Sequence, residues 1–144
     1  MPVAYHIDHE RRIVLTRGYG SFTDEDVFSY QQTVWSRKDV AGYSELVDMT
    51  EVTDIALPSV HRVRDLASLA ASMDDHYSSS RMGIVAPDDL AFGLGRMFQS
   101  YRELEKNPTK EVGVFRTLAE VFAFLGITDP PPLPHVHEDS SRSR

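Results

Sequence analysis

Met82-Gly83-Ile84-Val85-Ala86-Pro87-Asp88-Asp89-Leu90-Ala91-Phe92-Gly93-Leu94-Gly95-Arg96-Met97-Phe98 is the stretch that decides how this chain folds. The apolar run 82–86 reads as a buried strand, and Pro87 stops it because proline brings no N–H to a ladder. Asp88 can then cap a helix by accepting from the free N–H groups of its first turn. Leu90, Leu94, Met97, Phe98, Tyr101 and Leu104 recur at helical spacing and bury one face until Asn107-Pro108. A strand apolar along its length that passes directly into an amphipathic helix is half of a crossover unit, and such strands are covered on both faces of a parallel sheet.

Working outward, the same alternation repeats. Upstream, Ser44-Glu45-Leu46-Val47-Asp48-Met49 reads as an interior strand that ends in polar residues at Thr50 and Glu51. A helix beginning at Ser59 follows it, with Val60, Val63, Leu66, Ala67, Ala70 and Met73 on one face. Earlier still, Val3, Tyr5 and Ile7 and then Ile13, Leu15 and Arg17 alternate with their neighbours across the polar run His9-Glu10-Arg11-Arg12, the pattern of a hairpin. Gly18 and Gly20 are expected to end its second strand. Thr23 and Asp26 form a capping box for a helix over about 24–36, whose apolar side carries Val27, Phe28, Val34 and Trp35 with Gln31 as an interruption. Downstream, Glu111-Val112-Gly113-Val114-Phe115 is a last strand, and Thr117 caps a helix that Gly126 ends. The expected fold class is α/β: a mixed, mostly parallel sheet of four to five strands, opened by a β-hairpin and covered by helices.

Composition sets the outer limits. A chain of 144 residues suits one domain. The absence of cysteine removes disulfides and thiolate metal sites and suits a reducing compartment, so a cytoplasmic location is the default expectation. With 41% hydrophobic residues there is enough for a core, yet no apolar run reaches the roughly 20 residues a bilayer span needs. The start Met1-Pro2-Val3-Ala4-Tyr5-His6 lacks the pattern of a secretory signal. Fifteen Lys and Arg against 22 Asp and Glu give a net charge of −7, which opposes nucleic-acid binding; Arg142 and Arg144 at the end are too few to reverse it. Beyond Asp129 the run Pro130-Pro131-Pro132-Leu133-Pro134 and a Ser-rich end change the composition, so the domain is expected over 1–128 with a flexible tail over 129–144.

The order of these elements resembles the STAS superfamily, and among its members the small stand-alone SpoIIAA-like (STAS/SEC14-like) bacterial proteins. The resemblance covers nearly all of the folding part. It is carried by Gly20-Ser21-Phe22-Thr23-Asp24-Glu25-Asp26, by Leu46-Val47-Asp48-Met49-Thr50-Glu51-Val52, by Gly83-Ile84-Val85-Ala86 with 91–98, and by Val114-Phe115-Arg116. It implies a regulatory module acting through protein contact or, through kinship with lipid-carrier folds, a carrier. In the antagonist branch a serine at a helix start after the central strand is phosphorylated. The matching stretch here is Asp54-Ile55-Ala56-Leu57-Pro58-Ser59, which lacks the branch's glycine and places Ser59 one or two positions late.

Among the residues themselves, the start of the second helix draws attention because His61, Arg62 and Arg64 crowd a turn where the dipole disfavours cations. Free N–H groups with arginines suit a phosphate or carboxylate, and Thr50, Thr53 and Ser59 could add hydroxyls; solvated side chains balanced by Asp65 are the plainer reading. Gly93-Leu94-Gly95 fails as a dinucleotide loop because Phe98 occupies the third glycine position and the segment lies within a helix. Ala91 and Gly95, beside Phe92 and Arg96, instead suit a packing or homodimer contact. Neither His6, Asp8, His9 and Glu10 nor His135, His137 and Glu138 has the spacing of a metal site, and Ser59, His61 and Asp65 lack a nucleophile elbow. Tyr30 and Trp35 suit a core and its rim better than base stacking. The expectation is therefore a non-enzymatic regulatory or binding module without metal or cofactor, whose partner is a protein or, alternatively, a small anionic or amphipathic ligand that it carries or senses.

Overall fold

The computed structural model describes residues 3–56, 59–105 and 109–134. Its elements run β1 (Val3–Asp8), β2 (Ile13–Phe22), α1 (Asp24–Trp35), a 3-10 turn (Lys38–Val40), β3 (Ser44–Ile55), α2 (Val60–Ser72), β4 (Ser80–Val85), α3 (Asp89–Glu103), β5 (Lys110–Phe115) and α4 (Leu118–Leu125). The strands form one sheet in the order β1-β2-β3-β4-β5, with β1 antiparallel to β2 and every other pairing parallel. This is the expected mixed α/β sheet, opened by its hairpin.

The hairpin turn is held by Asp8, whose two carboxylate oxygens accept from the Arg11 backbone N–H at 3.0 Å and from Arg11 Nη1 at 2.8 Å. Those bonds hold the Asp8 carboxyl below its ordinary pKa, the backbone N–H of Arg11 contributing most. Arg12 takes a left-handed φ of 56° to close the turn.

Strands β2 and β3 run further than the sequence pattern suggests. Gly18 and Gly20 do not end β2; pairing continues through Gly20↔Val52 to Phe22↔Ile55, with register shifts at Arg17/Tyr19 and Gly20/Ser21. Gly20 sits at φ 65°, a conformation that costs glycine little, so the chain absorbs an irregularity where another residue would have broken the ladder. The polar residues Thr50 to Asp54 thereby stay in a strand, with Thr50, Glu51, Thr53 and Asp54 exposed.

The helix starts follow their caps. Thr23 with Asp26 and Thr117 with Glu120 form capping boxes, while Ser59 and Asp88 each accept one backbone N–H. Gly126 closes α4 at φ 74°.

Residue parity divides the sheet. Val14, Thr16, Glu45, Val47, Met49, Met82, Ile84, Val112 and Val114 face α1, α2 and α3, whereas Ile13, Leu15, Leu46 and Val85 pack with Val121 of α4. Complete burial of Leu15 and Leu46 contributes roughly 1.5–3 kcal/mol each. Gly83 is required on the α4 side, because a Cβ there would stand 2.8 Å from Val121 Cγ1.

The proline-rich stretch is described only to residue 134. Within it Pro131 is buried, Leu133 packs against the α4 cluster, and Arg11 Nη2 donates to the Asp129 carbonyl at 3.0 Å. His135, His137, Glu138 and the Ser/Arg end lie outside the described residues, as do Leu57, Pro58, Asn107 and Pro108. No helix among the described residues is long and apolar enough to cross a membrane.

Candidate functional site

Three helices on one face of a twisted sheet leave a gap where α1 and α2 diverge above β2 and β3. Val27 and Phe28 of α1, Val63 and Leu66 of α2, and Leu94 and Phe98 of α3 close over Gly18, Val47, Met49 and Ile84 of the sheet. They enclose a half-open cavity of about 150 Å³ whose body is apolar, with Asp24 and Arg62 on its lining at one end and Thr16, Tyr30, Gln31 and Glu45 at the other. Gly18 helps to make the room: a Cβ there would meet Phe22 Cε1 at 3.0 Å and Val52 Cγ2 at 3.3 Å. Gly95 brings α3 close to the sheet in the same way, its missing Cβ lying 3.0 Å from Val114 Cγ1.

The solvent end of the cavity carries a charged cluster. Arg62 Nε donates to Asp24 Oδ2 at 2.7 Å and Nη2 donates to Glu25 Oε1, while the guanidinium stacks 4.1 Å above the Phe28 ring. Asp24, part-exposed, is held below its ordinary pKa chiefly by the Arg62 hydrogen bond, and the Arg62 value is raised by the same bond. The pair ties the start of α2 to the start of α1, and its acids sit at the positive end of the α1 dipole.

The inner end is buried and polar. Tyr30 Oη donates to Glu45 Oε2 at 2.7 Å, accepts from Trp35 Nε1 at 3.1 Å, and lies 2.8 Å from Thr16 Oγ1. Burial, then the Glu45 charge, pushes the Tyr30 phenol well above its ordinary pKa. Behind Glu45, Lys110 Nζ stands 3.6 Å from Glu45 Oε1 and 3.5 Å from the centre of the Trp35 ring. Burial pulls the Lys110 pKa down. Arg102 and Asp74 form a two-pronged pair beside it, with both bonds at 3.0 Å, although Arg102 Nε finds no acceptor among the described residues. Glu45, Asp74, Lys110 and Arg102 thus bring two charges of each sign, the arrangement that makes charge burial tolerable.

Of the residues singled out from the sequence, Arg62 borders the cavity and already has Asp24 and Glu25 as anionic partners. Ser59 is the α2 N-cap, accepting from Arg62 N–H at 3.2 Å, and Arg64 Nη2 lies 3.3 Å from His61 Nδ1 at the exposed surface. Thr50 and Thr53 are exposed on the outer half of β3; Thr50 N–H donates to Asp48 Oδ1, and no hydrogen bond joins either threonine to the α2 group among the described residues. Ala91 and Gly95 are buried toward the sheet, so their smallness serves packing within the chain. Phe92 lies under Arg116 at 4.1 Å, and Arg96 is exposed. His9 engages Tyr43 Oη at 2.7 Å. Tyr30 and Trp35 are buried in the core, as their pattern suggests.

The cavity and its inner cluster escaped the sequence reading. A signal existed for the cluster: Glu45 stands on the same face as Val47 and Met49 of an interior strand, where a charge must be buried and therefore partnered.

No protein-family profile matches the chain, and no curated protein matches it. Among solved structures, it is similar to an uncharacterised protein from the DUF3478 family with a SpoIIAA-like fold, from Shewanella loihica PV-4. That likeness has a TM-score of 0.53 at 18% identity and spans 85% of this chain and 93% of the other. A structural likeness at this identity shows the fold alone, and the fold of this chain is SpoIIAA-like.

Proposed function

We propose, from a SpoIIAA-like fold with an apolar cavity beneath three helices, that this protein is a small-molecule binding module, a carrier or sensor whose ligand lodges between α1, α2 and the sheet. The observation that carries this reading is the cavity itself. Interiors pack at crystal density, and a void of about 150 Å³ lined by apolar groups is large enough to admit a molecule of benzene's size. Leaving such a space empty forgoes dispersion contacts, so an apolar ligand that fills it stabilises the folded chain by mass action.

The volume restricts the guest. Pockets for drug-sized molecules run from about 300 Å³ upward, so the ligand body here is one ring or a short alkyl chain and not a whole two-chain lipid. Native mass spectrometry of protein taken from its own host, with thermal-shift titration against small aromatic and alkyl probes, tests the proposal. Val47→Phe places a ring in the cavity and is expected to abolish both ligand retention and the probe-induced shift while the chain stays folded. Retention of ligand by folded Val47→Phe would reject the site.

A second reading, protein contact through the starts of α2 and α3, is favoured by one observation. Val60 and Leu90, near these two starts, are 54% and 43% exposed, and Arg64, four residues on from Val60, is exposed as well. Val60→Asp combined with Arg64→Glu is expected to release a protein partner held there without lowering the melting temperature; unchanged co-purification would exclude that surface.

A further inference from the structure

We infer that the ligand enters the cavity with a neutral hydrogen-bond donor, an alcohol, phenol or indole-type N–H, directed at Thr16 and Glu45. This rests on the reading of the cavity as a binding site and adds the class of molecule it selects.

Donors and acceptors at the inner end can be counted. A carboxylate can only accept, so the 2.7 Å contact between Tyr30 and Glu45 uses the single phenolic hydrogen of Tyr30. An indole N–H can only donate, so Trp35 Nε1 fills one lone pair of the Tyr30 oxygen. The 2.8 Å contact to Thr16 must then be completed by the Thr16 hydroxyl hydrogen, donated to the remaining lone pair of Tyr30. Tyr30 is saturated, and Thr16 has spent its only hydrogen.

At this end of the cavity, among the described residues, Thr16 Oγ1 and the Glu45 carboxylate keep acceptor capacity beyond their contacts to Tyr30 and Lys110. Both residues line the cavity. Gln31, which lines it as well, directs one N–H of its amide to Met73 Sδ at 3.4 Å, and its second N–H and carbonyl oxygen suit a hydroxyl, which both donates and accepts. A purely apolar guest leaves the remaining lone pairs of these acceptors unused. A guest ending in a carboxylate or phosphate sets acceptor against acceptor at Thr16 and Glu45, and Arg62, the cation on the lining, stands at the opposite end with Asp24 and Glu25 as its partners.

Charge narrows the class further. Glu45 and Asp74 are already matched by Lys110 and Arg102, all four side chains being almost fully buried. An ammonium group would add an unmatched charge to a balanced cluster, whereas a neutral O–H or N–H adds none.

Four probes that share one ring body separate the alternatives: toluene, benzyl alcohol, benzylammonium and benzoate, each titrated into the full chain by NMR and calorimetry. Benzyl alcohol is expected to bind about tenfold tighter than toluene, the equivalent of one well-formed hydrogen bond, and tighter than either ion. Thr16→Val, with its melting temperature measured alongside, is expected to reduce the alcohol-to-toluene ratio to about threefold or less. Toluene binding as tightly as the alcohol, a preference for either ion, or an unchanged ratio in folded Thr16→Val overturns the inference and leaves the cavity as a binding site. Binding of none of the four removes the site itself, and this inference with it.

Discussion

Tyr30 Oη lies 2.7 Å from Glu45 Oε2, joining α1 to β3 through a hydrogen bond between two buried side chains. Removing the hydroxyl strands the Trp35 N–H, the Thr16 hydroxyl and one carboxylate oxygen together. Tyr30→Phe is therefore expected to cost about 1–3 kcal/mol in urea unfolding, more than loss of one exposed hydrogen bond. Since burial holds the phenol well above its ordinary range, Tyr30 should remain protonated in alkaline solution until the chain unfolds. Ultraviolet titration of the natural chain and of Tyr30→Phe would show a phenol that ionises only at the unfolding transition in the first and is missing from that step in the second.

The Glu45–Lys110 pair is a case where breaking is worse than replacing. Lys110→Met leaves a buried carboxylate without its cation and is expected to lose about 3–5 kcal/mol, whereas combining it with Glu45→Gln keeps an acceptor for Tyr30 and removes the charge. The double variant should regain more than half of the loss. Urea unfolding of the two single variants and the double variant gives the coupling directly.

Asp24 and Arg62 link stability to pH on the acid side. The Asp24 carboxyl is lowered in the folded chain, so the unfolded chain takes up its proton first as the pH falls. Its contribution is complete above the ordinary value near 3.8 and disappears as the pH drops through the depressed folded value. The stability gap between the natural chain and Asp24→Asn should thus be flat from about pH 6 to pH 8 and close below about pH 4. A gap that widens in acid would contradict the pairing.

Two glycines predict opposite outcomes for the same substitution. Gly93 is exposed within α3 and has nothing within 4 Å of its Cβ position, so Gly93→Ala should stabilise by up to about 1 kcal/mol. Gly83 lies under Val121, and Gly83→Ala must displace α4, an overpacking that costs about 1–3 kcal/mol. Thermal and urea unfolding would rank the two variants on opposite sides of the natural chain.

How much of this was legible beforehand depends on the range of the interaction. Caps such as Thr23, Asp88 and Thr117 and the stop at Gly126 act within one turn, and their residue types are readable in order. The alternation of strand and helix follows from periodicity, which is equally local. The continuation of β2 through Gly18 and Gly20 was not legible, because it depends on β3 lying alongside to pair with it. The same holds for Arg62: its crowding at a helix start was visible, but Asp24 and Glu25 stand 38 and 37 positions away and meet it only through the fold. The cavity was least legible of all, since a void is a property of what three helices fail to fill and no residue type encodes it.

The strand order of the sheet is the order of the chain, so each strand pairs with its immediate predecessor and none is inserted between two already joined. Such a sheet can grow from one edge while the polypeptide is still leaving the ribosome, each new strand finding its template finished. The last parallel strand and α4 then form late, α4 docking on a face that Ile13, Leu15, Leu46 and Val85 have already built.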